Sequence, residues 1–113
     1  MKVVNELAYA RLVTKITKEN LWLYIIRMLL ERPMYAYEIS KTLQERFGFS
    51  TAVITVYVVL YKMQREGFIT VKEEKAVPNR PDRKYYEATE EGKEAFIKGR
   101  SFLEDTIKKL STN

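Results

Sequence analysis

The sequence contains neither cysteine nor histidine. Disulfides and the usual zinc, haem and copper ligand sets are therefore excluded, together with catalysis by thiolate or imidazole. The few glycines are scattered, so there is no glycine-rich phosphate loop. The carboxylate pairs Glu73-Glu74 and Glu90-Glu91 lack the surrounding ligand set that acid–base or metal chemistry requires. We therefore expect no enzyme activity, no cofactor and no metal.

Long hydrophobic runs are also missing. The most apolar segments, residues 21–26 and 52–60, fall far short of the ~20 residues that span a bilayer. The first residues become charged too early for the apolar core of a signal peptide. We therefore expect a cytoplasmic protein that does not contact a membrane.

The composition is that of a small basic globular protein. The 113 residues, 46% of them hydrophobic and 31% charged, suffice for one packed domain with a helix or two outside its core. Twenty Lys and Arg against fifteen Asp and Glu give a net charge of +5. Such a molecule attracts polyanions, although charge alone does not establish nucleic-acid binding.

The pattern of residues 50–89 indicates the fold. An apolar-rich segment, residues 51–66, stops at Gly67, as a helix with a left-handed C-terminal residue does. Two alternating runs follow, residues 68–74 and 84–89, with prolines in the loop between them. A helix followed by a hairpin with a basic tip is typical of a winged helix-turn-helix. The predicted fold class is therefore mainly α with a small β-hairpin wing.

Further helices are predicted on both sides of this unit. The apolar spacing indicates an amphipathic helix over residues 5–17, a core helix over 21–30, a third helix over 35–47 closed by Gly48, and a last helix that runs to about residue 110. We predict an N-terminal dimerisation helix in residues 1–18, a DNA-binding domain in residues 19–89, and a C-terminal dimerisation helix in residues 90–113.

Residues 53–59 are the ambiguous part of this prediction. They are β-branched or aromatic and, taken alone, fit a buried strand. We predict a helix because they continue without a break into good helix formers that end at Gly67. The residues that would face the core are then Val56, Val59, Leu60 and Met63.

The opposite face of that helix supplies most of the predicted DNA contacts. A recognition helix enters the major groove with its N-terminal residues nearest the base edges. Thr55 would bond a base or a phosphate, and Ile54 and Val58 would meet thymine methyl groups. The candidates from this helix and its surroundings are Tyr35, Thr51, Ile54, Thr55, Val58, Tyr61, Lys62 and Arg65. The alternative is a fully buried helix whose outer apolar face packs on something other than DNA.

The wing supplies the remaining candidates. Its tip carries Arg80, Arg83 and Lys84, where a wing meets an adjacent groove or phosphate ridge. Acidic neighbours reduce the local field, so an ordinary solvated hairpin is the alternative. Two tyrosines near the wing, Tyr37 and Tyr86, are predicted to lie in the core.

Several ordered sequence blocks resemble the PadR family of transcriptional regulators, over about residues 21–96. The blocks are Tyr35-Ala36-Tyr37-Glu38-Ile39, Thr55-Val56-Tyr57-Val58-Val59-Leu60, Arg65-Glu66-Gly67-Phe68-Ile69, Arg80-Pro81-Asp82-Arg83-Lys84-Tyr85-Tyr86 and Thr89-Glu90-Glu91-Gly92. The resemblance implies a winged helix-turn-helix that dimerises through its C-terminal helix and represses transcription from palindromic operators. It also implies DNA contacts by Thr55, Tyr57, Arg83 and Lys84, and a wing braced by Tyr86.

The chain departs from that family at the start of the recognition helix. Ala52-Val53-Ile54 stands where the family has serine-proline-glycine, and Val58 stands where it has a proline. The first change removes a capping hydroxyl, which leaves Ser50 or Thr51 as the predicted cap.

The first and last helices each carry an apolar stripe that the small core cannot cover. We therefore predict a homodimer, with a monomer whose end helices pack on each other as the alternative. The predicted dimerisation residues are Leu7, Leu12, Ile16, Phe96, Phe102, Leu103, Ile107 and Leu110. The resemblance further implies a small-molecule effector site between subunits, for which Trp22, Phe96 and Phe102 are candidates.

The predicted function is that of a sequence-specific DNA-binding transcriptional regulator whose partner is double-stranded DNA. The alternative is a winged-helix protein-interaction module that uses the Ile54 and Val58 face for a partner chain and does not bind DNA.

Overall fold

The computed structural model of the chain describes residues 2–72 and 84–111. Within them the protein is mainly helical with a two-stranded antiparallel sheet, which confirms the predicted fold class. The elements in chain order are α1 (Lys2–Ile16), a 3₁₀ turn (Lys18–Asn20), α2 (Leu21–Leu29), α3 (Ala36–Thr42) with a π-helical extension (Leu43–Phe47), α4 (Val53–Arg65), β1 (Ile69–Lys72), β2 (Tyr85–Ala88) and α5 (Glu90–Ser111).

Helix α2 lies at the centre of the core, as its nearly continuous apolar sequence predicts. Its buried residues are Leu21, Ile25, Ile26, Met28 and Leu29. Helices α4 and α5 and strand β2 pack against it. Among the residues that the structure describes, no charged residue is buried and every buried side chain except that of Tyr86 is entirely apolar, so apolar contacts dominate the core.

Helix α3, its π-helical extension and α4 form the helix-turn-helix. Ala36, Ile39 and Leu43 are buried on the inner side of α3 and its extension. Gly48 follows with φ 77°, a left-handed conformation that reverses the chain. The turn is attached to α2 because the Tyr24 ring meets Phe47 and Phe49 edge-on, at centroid distances of 5.0 and 5.1 Å.

Residues 53–65 form a helix, which confirms the prediction against the strand alternative. Gly67 has φ 82°, and its N–H donates to the Gln64 carbonyl at 3.1 Å. The Phe68 N–H donates to the Met63 carbonyl at 2.9 Å, which closes the C-terminal turn of α4. The β-branched residues are therefore helical because a strongly specified C-terminus and an apolar inner face outweigh their local strand preference.

Strands β1 and β2 form the base of the wing. Val71 pairs with Tyr86, and Lys72 pairs with Tyr85. Tyr86 also exchanges backbone hydrogen bonds with Met34, at 2.9 and 3.1 Å, which ties the hairpin to the segment before α3. The predicted tip, including Arg80 and Arg83, lies in residues 73–83, outside the described residues.

Helix α5 begins where Thr89 and its acidic neighbours predict. The Thr89 hydroxyl accepts a hydrogen bond from the Gly92 N–H at 3.1 Å and donates to the Gly67 carbonyl at 2.6 Å. Gly92 is buried so tightly that a Cβ there would lie 2.2 Å from the Phe68 carbonyl oxygen. A residue with a side chain at position 92 would therefore push α5 away from the start of the hairpin.

Helix α1 extends away from this core. From Glu6 to Ile16 its residues are exposed, including Leu7 at 56% and Leu12 at 58%. The radius of gyration is 16.3 Å, against about 13 Å for a compact domain of this length. No helix of residues 2–72 and 84–111 has both the length and the hydropathy to cross a membrane.

Candidate nucleic-acid interface

Helix α4 has one buried face and one solvent-exposed face. Val56, Leu60 and Met63 are at most 1% exposed, whereas Ile54 is 73% exposed and Val58 50%. With 3.6 residues per turn, positions 54, 58, 61 and 65 fall on one line opposite the core. We call these residues, Ile54, Val58, Tyr61 and Arg65, the outer ridge. Their predicted outward orientation is confirmed, and within the described chain the outer face of α4 is not buried.

Hydroxyl groups flank the outer ridge. Thr55 is exposed on one side, and Tyr57 is 53% exposed on the other. Tyr61, within the ridge, is 62% exposed. Each of these hydroxyls can donate to a phosphate oxygen or a base edge without leaving the helix surface.

Cations surround the C-terminal half of the same surface. Lys62 and Arg65 are exposed in the last turns of α4, and the Arg65 guanidinium lies 5.7 Å from the centroid of the Tyr61 ring. Lys72 and Lys84 are exposed where β1 and β2 approach the wing tip. Both ends of the hairpin that lead toward residues 73–83 therefore carry an exposed positive charge.

The start of α4 differs from the capping prediction. Ala52, not Ser50 or Thr51, occupies the N-cap position, and alanine has no side-chain acceptor. The Ser50 hydroxyl instead donates to the Gln44 side-chain oxygen, and the Thr51 carbonyl accepts from the Ser40 hydroxyl at 2.9 Å. The predicted cap was wrong because the turn carries Ala52 to the cap position and holds Ser50 and the Thr51 carbonyl against Gln44 and Ser40, contacts that sequence spacing alone does not reveal.

A polar groove between α3 and the start of α4 adds residues that the sequence analysis missed. Its volume is about 330 Å³, and it is lined by Tyr37, Ser40, Lys41, Gln44, Glu45, Ser50 and Thr51. Tyr37 is 60% exposed, so its predicted place in the core is wrong. Ala36 faces the core, and the next residue lies 100° further round the helix. The sequence signal was the polar i, i+4 pair Tyr37 and Lys41 on the first helix of a helix-turn-helix, which crosses the DNA backbone in such proteins.

Two tyrosines connect this surface to the wing. Tyr35 stands at the N-cap position of α3 and is half-buried, with its ring edge-to-face on Tyr85 at 5.5 Å. Tyr86 is 7% exposed, as predicted, and burial raises the pKa of its hydroxyl, with a smaller contribution from Tyr57. Tyr35 thus holds the beginning of α3 against the base of the wing.

The predicted dimerisation residues fall into two groups. The first group is exposed, from 37% at Ile16 to 81% at Leu110, and consists of Leu7, Leu12, Ile16, Phe102, Ile107 and Leu110. Phe96 and Leu103 are half-buried and pack partly on their own chain. The exposed group therefore leaves apolar side chains in solvent on both end helices.

Two small cavities lie beneath α5. One, of about 180 Å³, is lined by residues that include Trp22, Phe102 and Leu103, and the other, of about 280 Å³, by residues that include Phe96. The three residues predicted for an effector site are therefore divided between neighbouring cavities.

The α4 surface combines apolar side chains, hydroxyls and cations. Within residues 2–72 and 84–111 there is no group of three or more carboxylates placed to hold a metal ion. An exposed helix flanked by hydroxyls and cations matches the major groove of DNA, which is about 12 Å wide and admits one α-helix.

Comparison with known proteins agrees with this geometry. Residues 25–98 match the family model described as the transcriptional regulator PadR-like family. A PadR-like transcriptional regulator from Bacillus cereus is 29% identical over 85% of this chain and 95% of its own, with a TM-score of 0.64. A PadR family transcription regulator from Clostridium difficile is 28% identical over 80% and 97%, with a TM-score of 0.66. No curated protein matches the chain.

A further solved structure contains DNA. Bacillus subtilis PadR in complex with operator DNA is 26% identical over 69% of this chain and 44% of its own, with a TM-score of 0.62. The shared part is the smaller portion of that protein.

Proposed function

The chain belongs to the PadR-like family of transcriptional regulators, and from this premise we propose that it binds double-stranded operator DNA as a homodimer and represses transcription. The family consists of regulators, not enzymes. Residues 19–89 would bind the DNA, and residues 1–18 and 90–113 would join the two copies. We also propose that the protein acts in the cytoplasm, in contact with the DNA it regulates.

The outer ridge of α4 is the observation that supports DNA binding most strongly. Large apolar side chains are normally buried, so a helix that exposes Ile54 and Val58 beside Lys62 and Arg65 is built to meet a partner. The partner must combine apolar groups with negative charge. Duplex DNA offers thymine methyls in the major groove and phosphates along its edges.

The exposed stripes of α1 and α5 support the homodimer. Leu7, Leu12, Ile107 and Leu110 are each more than half exposed, and large apolar side chains are normally buried. A two-fold axis covers the same stripe on both copies at once. It would also present two α4 helices, and a palindromic operator with half-sites about 34 Å apart follows from that symmetry.

DNA binding is tested by fluorescence anisotropy with duplexes selected from a random pool. We expect saturable binding that weakens as salt rises, because each neutralised phosphate releases counterions. Replacing Arg83 and Lys84 together by alanine should weaken binding to every sequence. Unchanged affinity in that variant would remove the wing from the interface, and no binding of any duplex at low salt would refute the proposal. A stable complex with a partner protein under those conditions would favour the protein-interaction alternative.

The homodimer is tested by sedimentation velocity of the purified chain. Replacing Ile107 and Leu110 together by glutamate should give a monomer, because four carboxylates would then face the two-fold axis. Ser101→Glu, on the opposite side of α5, is the matched control and should leave the dimer intact. A monomeric wild-type chain at micromolar concentration would refute this part of the proposal.

We also propose an effector site at the cavities beneath α5. The cavity beside Trp22 and Phe102 opens next to the stripe that a second copy would cover. A thermal-shift screen of small apolar and aromatic compounds tests the idea. Binding that persists unchanged in Trp22→Ala and Phe96→Ala variants would place the ligand elsewhere.

A further inference from the structure

We infer that this protein recognises its operator chiefly through the C5-methyl groups of pyrimidines, which Ile54 and Val58 contact in the major groove. The inference rests on the proposed DNA binding and specifies what the recognition helix detects. The chemical group is the methyl of thymine, and 5-methylcytosine carries the same group.

The first observation is the composition of the part of α4 that would enter the groove most deeply. Arg recognises guanine and Asn or Gln recognises adenine by paired hydrogen bonds, and such residues normally stand near the N-terminus of a recognition helix. Lys can also pair with guanine, and in α4 the residues with any of these side chains are Lys62, Gln64 and Arg65, all in its last turn. The N-terminal half offers only the hydroxyls of Thr55 and Tyr57 beside its aliphatic side chains.

The second observation is the exposure of those aliphatic side chains. Ile54 is the most exposed large apolar residue of α4, at 73%, and Val58 is 50% exposed. The edges of the bases in the major groove present hydrogen-bonding groups at every pair, and the only apolar group there is the C5-methyl. A contact with that methyl is therefore the favourable role open to both side chains on DNA.

The third observation is the spacing of the two residues. Ile54 and Val58 are one helical turn apart, about 6 Å along the axis of α4. Successive base pairs rise about 3.4 Å, so the two side chains would meet methyl groups one or two base pairs apart in each half-site. Tyr61 and Arg65 continue the same line toward the helix end, where a phosphate would accept from either side chain.

The test compares duplexes that differ by single methyl groups. A duplex selected from a random pool is synthesised with deoxyuridine at one thymine at a time, which removes the methyl and preserves base pairing. Burying one methyl contributes about 0.8 kcal/mol. Replacing one contacted thymine by deoxyuridine should therefore lower the affinity about fourfold, and replacing it in both half-sites about 15-fold. Cytosine is then placed at the most sensitive position, with and without its C5-methyl. The methylated form should bind about fourfold more tightly.

Protein variants assign the effect to side chains. Ile54→Ala and Val58→Ala should each lose the thymine-to-uracil difference at one position and keep it at the other. Gln64→Ala, on the flank of the same helix, is the matched control and should keep both differences. Circular dichroism checks folding, and the comparison of duplexes with the wild-type protein does not depend on the variants.

The outcomes separate this inference from the proposed function. Sequence-selective binding that is indifferent to methyl removal at every thymine would overturn the inference and leave the regulator intact. Methyl sensitivity that survives in both alanine variants would also overturn it, because other residues would then detect the methyls. Failure to bind any duplex would refute the proposed function itself.

Discussion

Helices α2 and α4 are both rich in apolar residues, and the fold uses them differently. Helix α2 is enclosed by α4, α5 and β2, with Ile25 and Ile26 fully buried. Helix α4 buries one face only and leaves Ile54 and Val58 in solvent. Apolar composition therefore marks either a core helix or a binding helix. Which of the two a helix becomes depends on how many neighbours surround it.

The largest difference in stability should appear when an isoleucine is replaced by alanine in each helix separately. Ile25→Ala should lower the free energy of unfolding by about 2–5 kcal/mol, because it leaves a cavity in the centre of the core. Ile54→Ala should change it by less than about 0.5 kcal/mol, since that side chain is already hydrated. Urea unfolding at a fixed protein concentration measures both. Equal losses would mean that α4 is packed on its outer side as well.

Substitution of the two glycines of α5 tests how tightly this helix packs on α2 and on Phe68. Gly92→Ala should destabilise the protein by about 1–3 kcal/mol, because its Cβ would meet the Phe68 carbonyl oxygen. Gly99→Ala is the matched control: its Cβ would meet side-chain atoms of Leu23 and Trp22 at 3.1 Å, and these can move. Its cost should be offset by the better helix propensity of alanine, up to about 1 kcal/mol. Thermal unfolding distinguishes the two variants, and similar melting temperatures would contradict the tight packing at Gly92.

The open side of α4 is tested by its cations. Lys62→Ala should weaken DNA binding about fivefold at ~0.15 M salt and reduce the slope of log K against log salt by about 0.9, as the loss of one phosphate contact predicts. Lys98→Ala, an exposed cation of α5, should change neither quantity. A Lys98 variant that matches the Lys62 variant would show that overall charge, not the α4 surface, determines affinity.

The smallest effect concerns the exposed ion pair between Glu31, which follows α2, and Arg46. Hydrogen bonds from Arg46, at 2.7 and 2.9 Å, lower the pKa of Glu31, with help from Arg27. A carboxylate with a lowered folded-state pKa stabilises the protein above its unfolded pKa, and this contribution is lost as the pH falls through the folded value. Glu31→Gln should therefore be slightly less stable than the wild type at pH 7 and no different in strong acid. The pair is solvent-exposed, so the effect is small. A difference that persists unchanged at low pH would contradict this explanation.

The sequence predicted those features that depend on local chemistry. Gly48 and Gly67 end their segments with positive φ, and Thr89 caps α5, because each of these requirements is met within a few residues. The inner face of α4 followed from its 3.6-residue period, which also predicted the exposure of Ile54 and Val58. The assignment of these residues to DNA contact stays a prediction, as do the dimerisation residues.

Other features depended on contacts between distant segments. The cap of α4 was mispredicted because its start depends on the turn after Gly48, which is held to α3 by the bond from the Ser40 hydroxyl to the Thr51 carbonyl and leaves Ala52 at the cap position. Tyr37 was assigned to the core because tyrosine fits either environment, and only the packing of α3 shows which side it takes. The polar groove between α3 and α4 was missed for the same reason, since its lining comes from two elements.

The sequence by itself determined the order of the elements, the glycine-terminated ends at Gly48 and Gly67 and the absence of thiol and imidazole chemistry, because these follow from side-chain types and short-range periodicity. The tertiary structure decided which apolar faces stay open. Burial depends on what surrounds a helix, and the neighbours of α4 cover Val56 and Leu60 while they leave Ile54 and Val58 exposed to solvent.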